Sequence, residues 1–197
     1  MNDVEVFRPW SGFAMAGIVF IISGVLCFQL VLEEGVLNSL SVIAWGCAAS
    51  CLAYLIFVRP KITLFDEGIT ITNPLVSTTV GWDRVDEIEA RYCMSILVSG
   101  RPIYAWAAPA PGRYHARTVH SSEIKGLKIG VAGLLRPGES PRTHSGVATH
   151  LARLRLEKFR NTAGAQGVES QSRFNALGAA TLFVSIFTGL LLGLTHF

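Results

Sequence analysis

The sequence predicts an α+β membrane protein, and three observations carry that prediction. Residues 13–32, 38–58 and 174–197 contain no Asp, Glu, Lys or Arg, and about 20 apolar residues suffice to span a bilayer as a helix. From Lys61 to Ala108 short apolar–polar alternations follow one another, the two-residue period of β-strands. Residues 141–160 then carry apolar side chains at helical spacing, the pattern of an amphipathic helix. With 50% hydrophobic and 16% charged residues among 197, the chain is too apolar for an ordinary soluble domain.

Residues 1–12 are expected to form a short cytoplasmic tail, with Trp10 suited to a membrane interface. The run 13–32 is longer than the core of a signal peptide and has no small-x-small cleavage site after it, so it is expected to remain as a span. Glu33-Glu34-Gly35 should break it, and 38–58 should return antiparallel, completing a hairpin over 13–58. Arg59-Pro60-Lys61 ends the second span, because proline disfavours helix in the residue before it and the basic side chains anchor at headgroups.

Residues 59–162 read as one domain. Ile62 and Leu64, then Ile69 and Ile71, flank Asp66-Glu67-Gly68, which predicts a hairpin with a three-residue loop and glycine in the left-handed position. Val80 and Trp82 lead to a bend at Asp83-Arg84, and Ile88, Ala90 and Tyr92 alternate with Glu87, Glu89 and Arg91. Ser99-Gly100 should turn the chain between Ile96–Val98 and Ile103–Ala107. Trp82, Val85 and Trp106 are expected to fill the core, since a tryptophan buries a large apolar area. Residues 109–139 show little pattern beyond one candidate strand at Leu127, Ile129 and Val131.

Ser140-Pro141 has the form of a helix start. In the helix that follows, Val147, Leu151 and Leu154 form the apolar centre, flanked by Ala148, Ala152, Leu156 and Phe159. Arg155 and Lys158 intrude on that arc and are expected to reach past it to water. Residues 163–173 have linker composition. In the third span, Thr181, Ser185, Gly189 and Gly193 are small residues four apart, the spacing of a helix-packing stripe.

Charge sets the expected orientation. Arg8, Arg59, Lys61 and Arg173 flank one side of the spans, whereas Glu33 and Glu34 occupy the hairpin loop. The positive-inside bias then puts the N-terminus and residues 59–173 in the cytoplasm of a cell membrane, with the C-terminus outside. Within 59–173 the basic excess is local. Residues 59–108 hold five Lys/Arg against six Asp/Glu, whereas residues 109–145 hold six against two. Those six, Arg113, Arg117, Lys125, Lys128, Arg136 and Arg142, are expected to rest on anionic lipid headgroups. The acidic strand region argues against nucleic acid as a partner.

No catalytic, cofactor or metal site is assigned. His115 and His120 are five apart, and His144 and His150 six apart, which does not set two ligands on successive turns of one helix face. Glu87 and Glu89 share a strand face rather than opposing each other across a cleft. Cys27, Cys47, Cys51 and Cys93 form no CxxC pair and read as packing residues.

The stretches RPKITLFDEGITITNP, TTVGWDRVDEIEA and GRPIYAWAAPAP resemble the pleckstrin-homology-like (PH-like) domains of small actinobacterial membrane proteins, in which two transmembrane helices precede the domain. The resemblance covers residues 9–112 and, by position, the helix at 141–160; the third span lies outside it. It implies a PH-like antiparallel β-barrel closed by a C-terminal helix, acting as a binding or scaffold module and not as an enzyme. Its partner would be a protein, a second copy or the inner leaflet. In lipid-binding PH domains basic residues of the first hairpin loop grip phosphate; here that loop is Asp66-Glu67-Gly68, whose carboxylates repel phosphate, so that site is not carried over. The alternative reading is an accessory subunit or a membrane-bound enzyme with its site in 109–139.

Overall fold

The computed structural model describes residues 4–110 and 143–195. It is α+β, with three apolar helices and two antiparallel sheets among the described residues. The chain divides into two compact units.

The helical unit holds α1 (Trp10–Asn38), α2 (Leu40–Ala53) and α4 (Ala176–Thr195). Each is part of a segment long and apolar enough to cross a membrane: Trp10–Asn38, Leu40–Val58 and Ala176–Leu194. The acidic pair does not end α1. Helix continues through Glu33-Glu34 and breaks at Gly35, whose φ of 79° favours glycine. Ser39, fully buried, donates from Oγ to the Gly35 carbonyl at 2.8 Å and closes the corner into α2. At its far end α2 widens into a π-helical turn, Tyr54–Val58, where the Arg59 N–H reaches back to the Tyr54 carbonyl at 2.9 Å. Pro60 follows and cannot continue the ladder.

Helix α2 packs against both α1 and α4. Glycines mark the close approaches: a Cβ at Gly46 would stand 2.6 Å from Cys27 Sγ, and one at Gly189 would stand 3.0 Å from the Trp45 indole. The packing face of α4 is turned from the expected stripe. Gly189 is buried, but Gly193 has open space beside it and Thr181 is exposed, its hydroxyl donating to the Leu177 carbonyl. Gly178, about two turns before Ser185, meets Leu55 instead. A stripe of strict four-residue spacing drifts around a 3.6-residue helix, so its two ends leave the contact.

The second unit holds β1 (Glu5–Phe7), β2 (Lys61–Phe65), β3 (Gly68–Thr72), most of β4 (Val76–Gly81), β5 (Glu87–Ala90), β6 (Cys93–Val98), β7 (Arg101–Pro109), α3 (His144–Asn161) and the start of β8 (Gln171–Phe174). One sheet has the order β1-β2-β3-β4-β8 and the other β5-β6-β7. The expected closed barrel is therefore not formed by the described strands. After β4 the chain takes a 3-10 turn at Trp82–Arg84, which ends the first ladder and starts a separate one.

Ile62, Leu64, Ile69 and Ile71 from the first sheet meet Ile88, Met94 and Ile96 from the second in one apolar core. Trp82 is 1% exposed at its centre, and its Nε1–H donates to the Phe65 carbonyl at 2.9 Å. Val85 is buried beside it. Helix α3 covers this core with Ala148, Ala152 and Leu156.

Several local expectations change. The β2–β3 hairpin pairs Phe65 with Gly68, so Asp66 and Glu67 alone form the loop and Gly68 belongs to the strand without positive φ. Glycine is needed there for closeness, because a Cβ would stand 2.5 Å from the Val80 carbonyl oxygen. The β6–β7 turn does use left-handed geometry, at Ser99 (φ 49°) and Gly100 (φ 75°), the primed turn that matches strand twist. The described helix α3 begins at His144 with Thr143 as its cap, Thr143 Oγ1 accepting the Gly146 N–H at 3.0 Å; Ser140-Pro141 lies outside the described residues. Its buried face is also rotated. Ala148, Thr149, Ala152, Arg155 and Leu156 face inward, whereas Val147 and Leu154 are exposed.

The residues expected to be a tail and a linker supply the outer strands of the larger sheet, β1 and β8. Between α3 and β8 the chain packs closely: the Val168 N–H donates to the Glu67 carbonyl at 3.2 Å, and Gly167 lies against Asp83 and Gly81.

Candidate functional site

The small sheet carries an exposed aromatic groove. On β7 alternate side chains face opposite ways: Ala105 and Ala107 enter the core, which turns Tyr104 and Trp106 outward. Small residues inside and large ones outside invert the usual distribution. The β6–β7 ladder steps from Ser95↔Tyr104 to Cys93↔Pro109, so the extra β7 residues bulge, a device that re-aims side chains. Trp106 was expected in the core and is instead 57% exposed, for these two reasons. Tyr104 is 49% and Tyr92 72% exposed. Tyr92, Cys93, Tyr104, Trp106 and Pro109 line an open groove of about 470 Å³.

The groove is held from several sides. The Asn73 side chain spans the outer edge of β7, donating to the Tyr104 carbonyl at 2.8 Å and accepting the Trp106 N–H at 3.0 Å. It thus pairs with β7 as a neighbouring strand would. The Ala110 N–H donates to the Tyr92 carbonyl at 2.9 Å, and the Arg91 guanidinium lies 5.4 Å from the centre of the Tyr92 ring, within cation–π range. Burial pushes the Cys93 thiol above its ordinary pKa, with a hydrogen bond from the Ala105 backbone acting the other way, so the thiolate is disfavoured on the groove's floor.

The opposite edge of this sheet is covered too. Arg153 donates twice to the Ile88 carbonyl, at 2.7 and 3.2 Å, and Arg160 donates to the Val85 carbonyl at 3.2 Å. Guanidinium groups from α3 thus occupy acceptors that an open edge would offer to another strand.

A charged cluster lies where α3 meets the β2–β3 loop. Arg155, only 9% exposed, bonds Asp66 at 2.9 Å and approaches Glu5 at 3.3 Å, while Lys158 bonds the same Asp66 oxygen at 3.0 Å. These two side chains were expected to reach water; they converge on a carboxylate. The Lys158 hydrogen bond, with the Lys158 and Arg155 charges behind it, holds the Asp66 carboxyl below its ordinary pKa against the opposing effect of burial. The acidic β2–β3 loop is thus committed to ion pairs within this unit.

Of the residues singled out from sequence, Trp82 and Val85 are in the core and Trp106 is in the groove. Arg113, Arg117, Lys125, Lys128, Arg136 and Arg142 lie outside the described residues. Sequence reasoning missed Tyr92, Tyr104 and Asn73. The signal for two of the groove's walls was present as Tyr-Ala-Trp-Ala, an alternation whose small members fit inside. No group of three or more His, Cys, Asp or Glu side chains arranged to hold a metal occurs among the described residues. Compared with family models, curated proteins and solved structures, the chain matches none.

Proposed function

We propose that this protein is a membrane-anchored, PH-like binding module acting at the cytoplasmic face of the cell membrane, with the aromatic groove as its binding surface. The groove carries this reading: three large aromatic side chains stand exposed on one small sheet, and exposed apolar patches of this kind mark binding surfaces. Anchoring rests on the three apolar helices joined to the sheet unit. Strands followed by an amphipathic helix over a shared core support the PH-like description, although the sheets do not close. Orientation rests on Arg8, Arg59, Lys61 and Arg173 against Glu33 and Glu34. The six basic residues between 113 and 142 would add attraction to an anionic leaflet.

Two measurements test the reading. In a chain with its four native cysteines replaced by alanine, an impermeant thiol reagent added to intact cells is expected to label Glu34→Cys and not Ala163→Cys. Labelling of Ala163→Cys alone overturns the orientation. A photo-crosslinking amino acid at position 104 is then expected to give adducts with lipid or protein in native membranes; absence of any adduct overturns the groove as a binding surface.

A further inference from the structure

We infer that the groove's ligand is the lipid headgroup layer, with Trp106 and Tyr104 seated at the membrane–water interface. This rests on the membrane-anchored reading above and names the partner of the same site. The chain enters or leaves the sheet unit at Pro9, Lys61, Asn73, Ser77 and Arg173. Phe7 pairs with Ile62, Lys61 with Thr72, and Thr72 with Ser77. Those strand ends therefore lie side by side, at one end of the larger sheet. An apolar helix adjoins three of these points: α1 starts at Trp10, the second span ends at Val58, and α4 starts at Ala176. Only a few residues of chain therefore separate these strand ends from the apolar helices.

Asn73 is one of those boundary residues, and its side chain is the group that holds Tyr104 and Trp106. The exposed aromatic pair is thus fastened to the end of the unit from which the chain passes to the spans. Tyrosine and tryptophan carry an apolar body and a polar tip, and they concentrate where one side is hydrocarbon and the other wet. Tyr92 adds a third ring, and the Arg91 guanidinium over it brings a cation suited to lipid phosphate. A soluble peptide would find the same rings, but nothing about peptide binding requires them at this end of the unit.

The test uses the full chain in nanodiscs of phosphatidylcholine and phosphatidylglycerol, with tryptophan fluorescence quenched by nitroxide lipids at headgroup or mid-bilayer depth, or by aqueous iodide. The difference between wild type and Trp106→Phe isolates Trp106, which being exposed tolerates the change. The difference between wild type and Trp45→Phe isolates a residue of α2 and reports whether the helices are inserted. Trp82 is buried and cancels in both differences. The Trp106 signal is expected to be lost with the headgroup-depth nitroxide and kept with iodide, while Trp45 responds to the mid-bilayer probe. Iodide quenching of Trp106 with no response to the headgroup probe, Trp45 being quenched in the bilayer, overturns this inference and leaves the anchored reading standing. A Trp45 signal quenched by iodide and untouched by either nitroxide overturns both.

Discussion

Trp82 has two independent attachments to the sheet unit. Its indole fills the core between the sheets, and its Nε1–H satisfies the Phe65 carbonyl. Trp82→Ala is expected to cost about 3–5 kcal/mol, the range for large aromatics removed from cores, a large share of the roughly 5–15 kcal/mol that holds a domain. Loss of the sheet unit's cooperative thermal transition in detergent checks this; a wild-type melt would contradict it. Asp66 gives a pH signature. Its pKa is depressed in the folded state, first by the Lys158 hydrogen bond, so its stabilisation is present above the unfolded pKa and is lost as pH falls through the folded value. The stability gap between wild type and Asp66→Asn should therefore be largest near neutrality and shrink on acidification below the ordinary carboxylate range. Thermal melts across that range report it, and a gap independent of pH would remove the ion pair from the account.

At the scale of elements, the α2–α4 contact includes Gly189 and leaves Gly193 aside. Gly189 has the Trp45 indole within 3.0 Å of a would-be Cβ, whereas Gly193 has nothing within 4 Å. Gly189→Leu is expected to destabilise the helical unit by about 1–3 kcal/mol, as overpacking does, and Gly193→Leu to be nearly silent. Unfolding of each variant in detergent separates them; equal effects would mean that the whole stripe packs. The small sheet also handles its edges element by element. Asn73 covers β7, and the α3 arginines cover β5, so the exposed rings, rather than an open strand edge, are what this sheet offers to a ligand.

At the scale of the molecule, a chain segment near the N-terminus and one just before α4 complete a sheet otherwise made from residues 61–81. β1 pairs along β2, and its Glu5 is one of the two acids facing Arg155. Deleting residues 1–7 uncovers the β2 edge and removes one of those partners. Faster proteolysis within residues 61–65 and a lower melting temperature are expected; unchanged protection would show that β1 adds no stability. The sheet unit is consequently not a cassette between the second and third spans. It needs residues from before the first.

The sequence by itself determined the three helices long and apolar enough to cross a membrane, the alternating strands, the helix after them and the turn at Ser99-Gly100. Each depends on a local property: apolar length, a period of two or 3.6, or a residue tolerant of positive φ. Trp82 and Val85 could be read as core because their neighbours on both sides alternate cleanly. Tertiary structure decided the rest. β1 and β8 are too short to carry a period of their own, and they become strands only because β2 and β4 present unpaired edges. Arg155 is buried because Asp66 and Glu5 come to it from distant parts of the chain, which no window along the sequence contains. Trp106 faces outward because two alanines on either side of it fit the core and a bulge turns the strand. Periodicity states that neighbouring residues face opposite ways. Which of the two faces meets the core is set by what packs there.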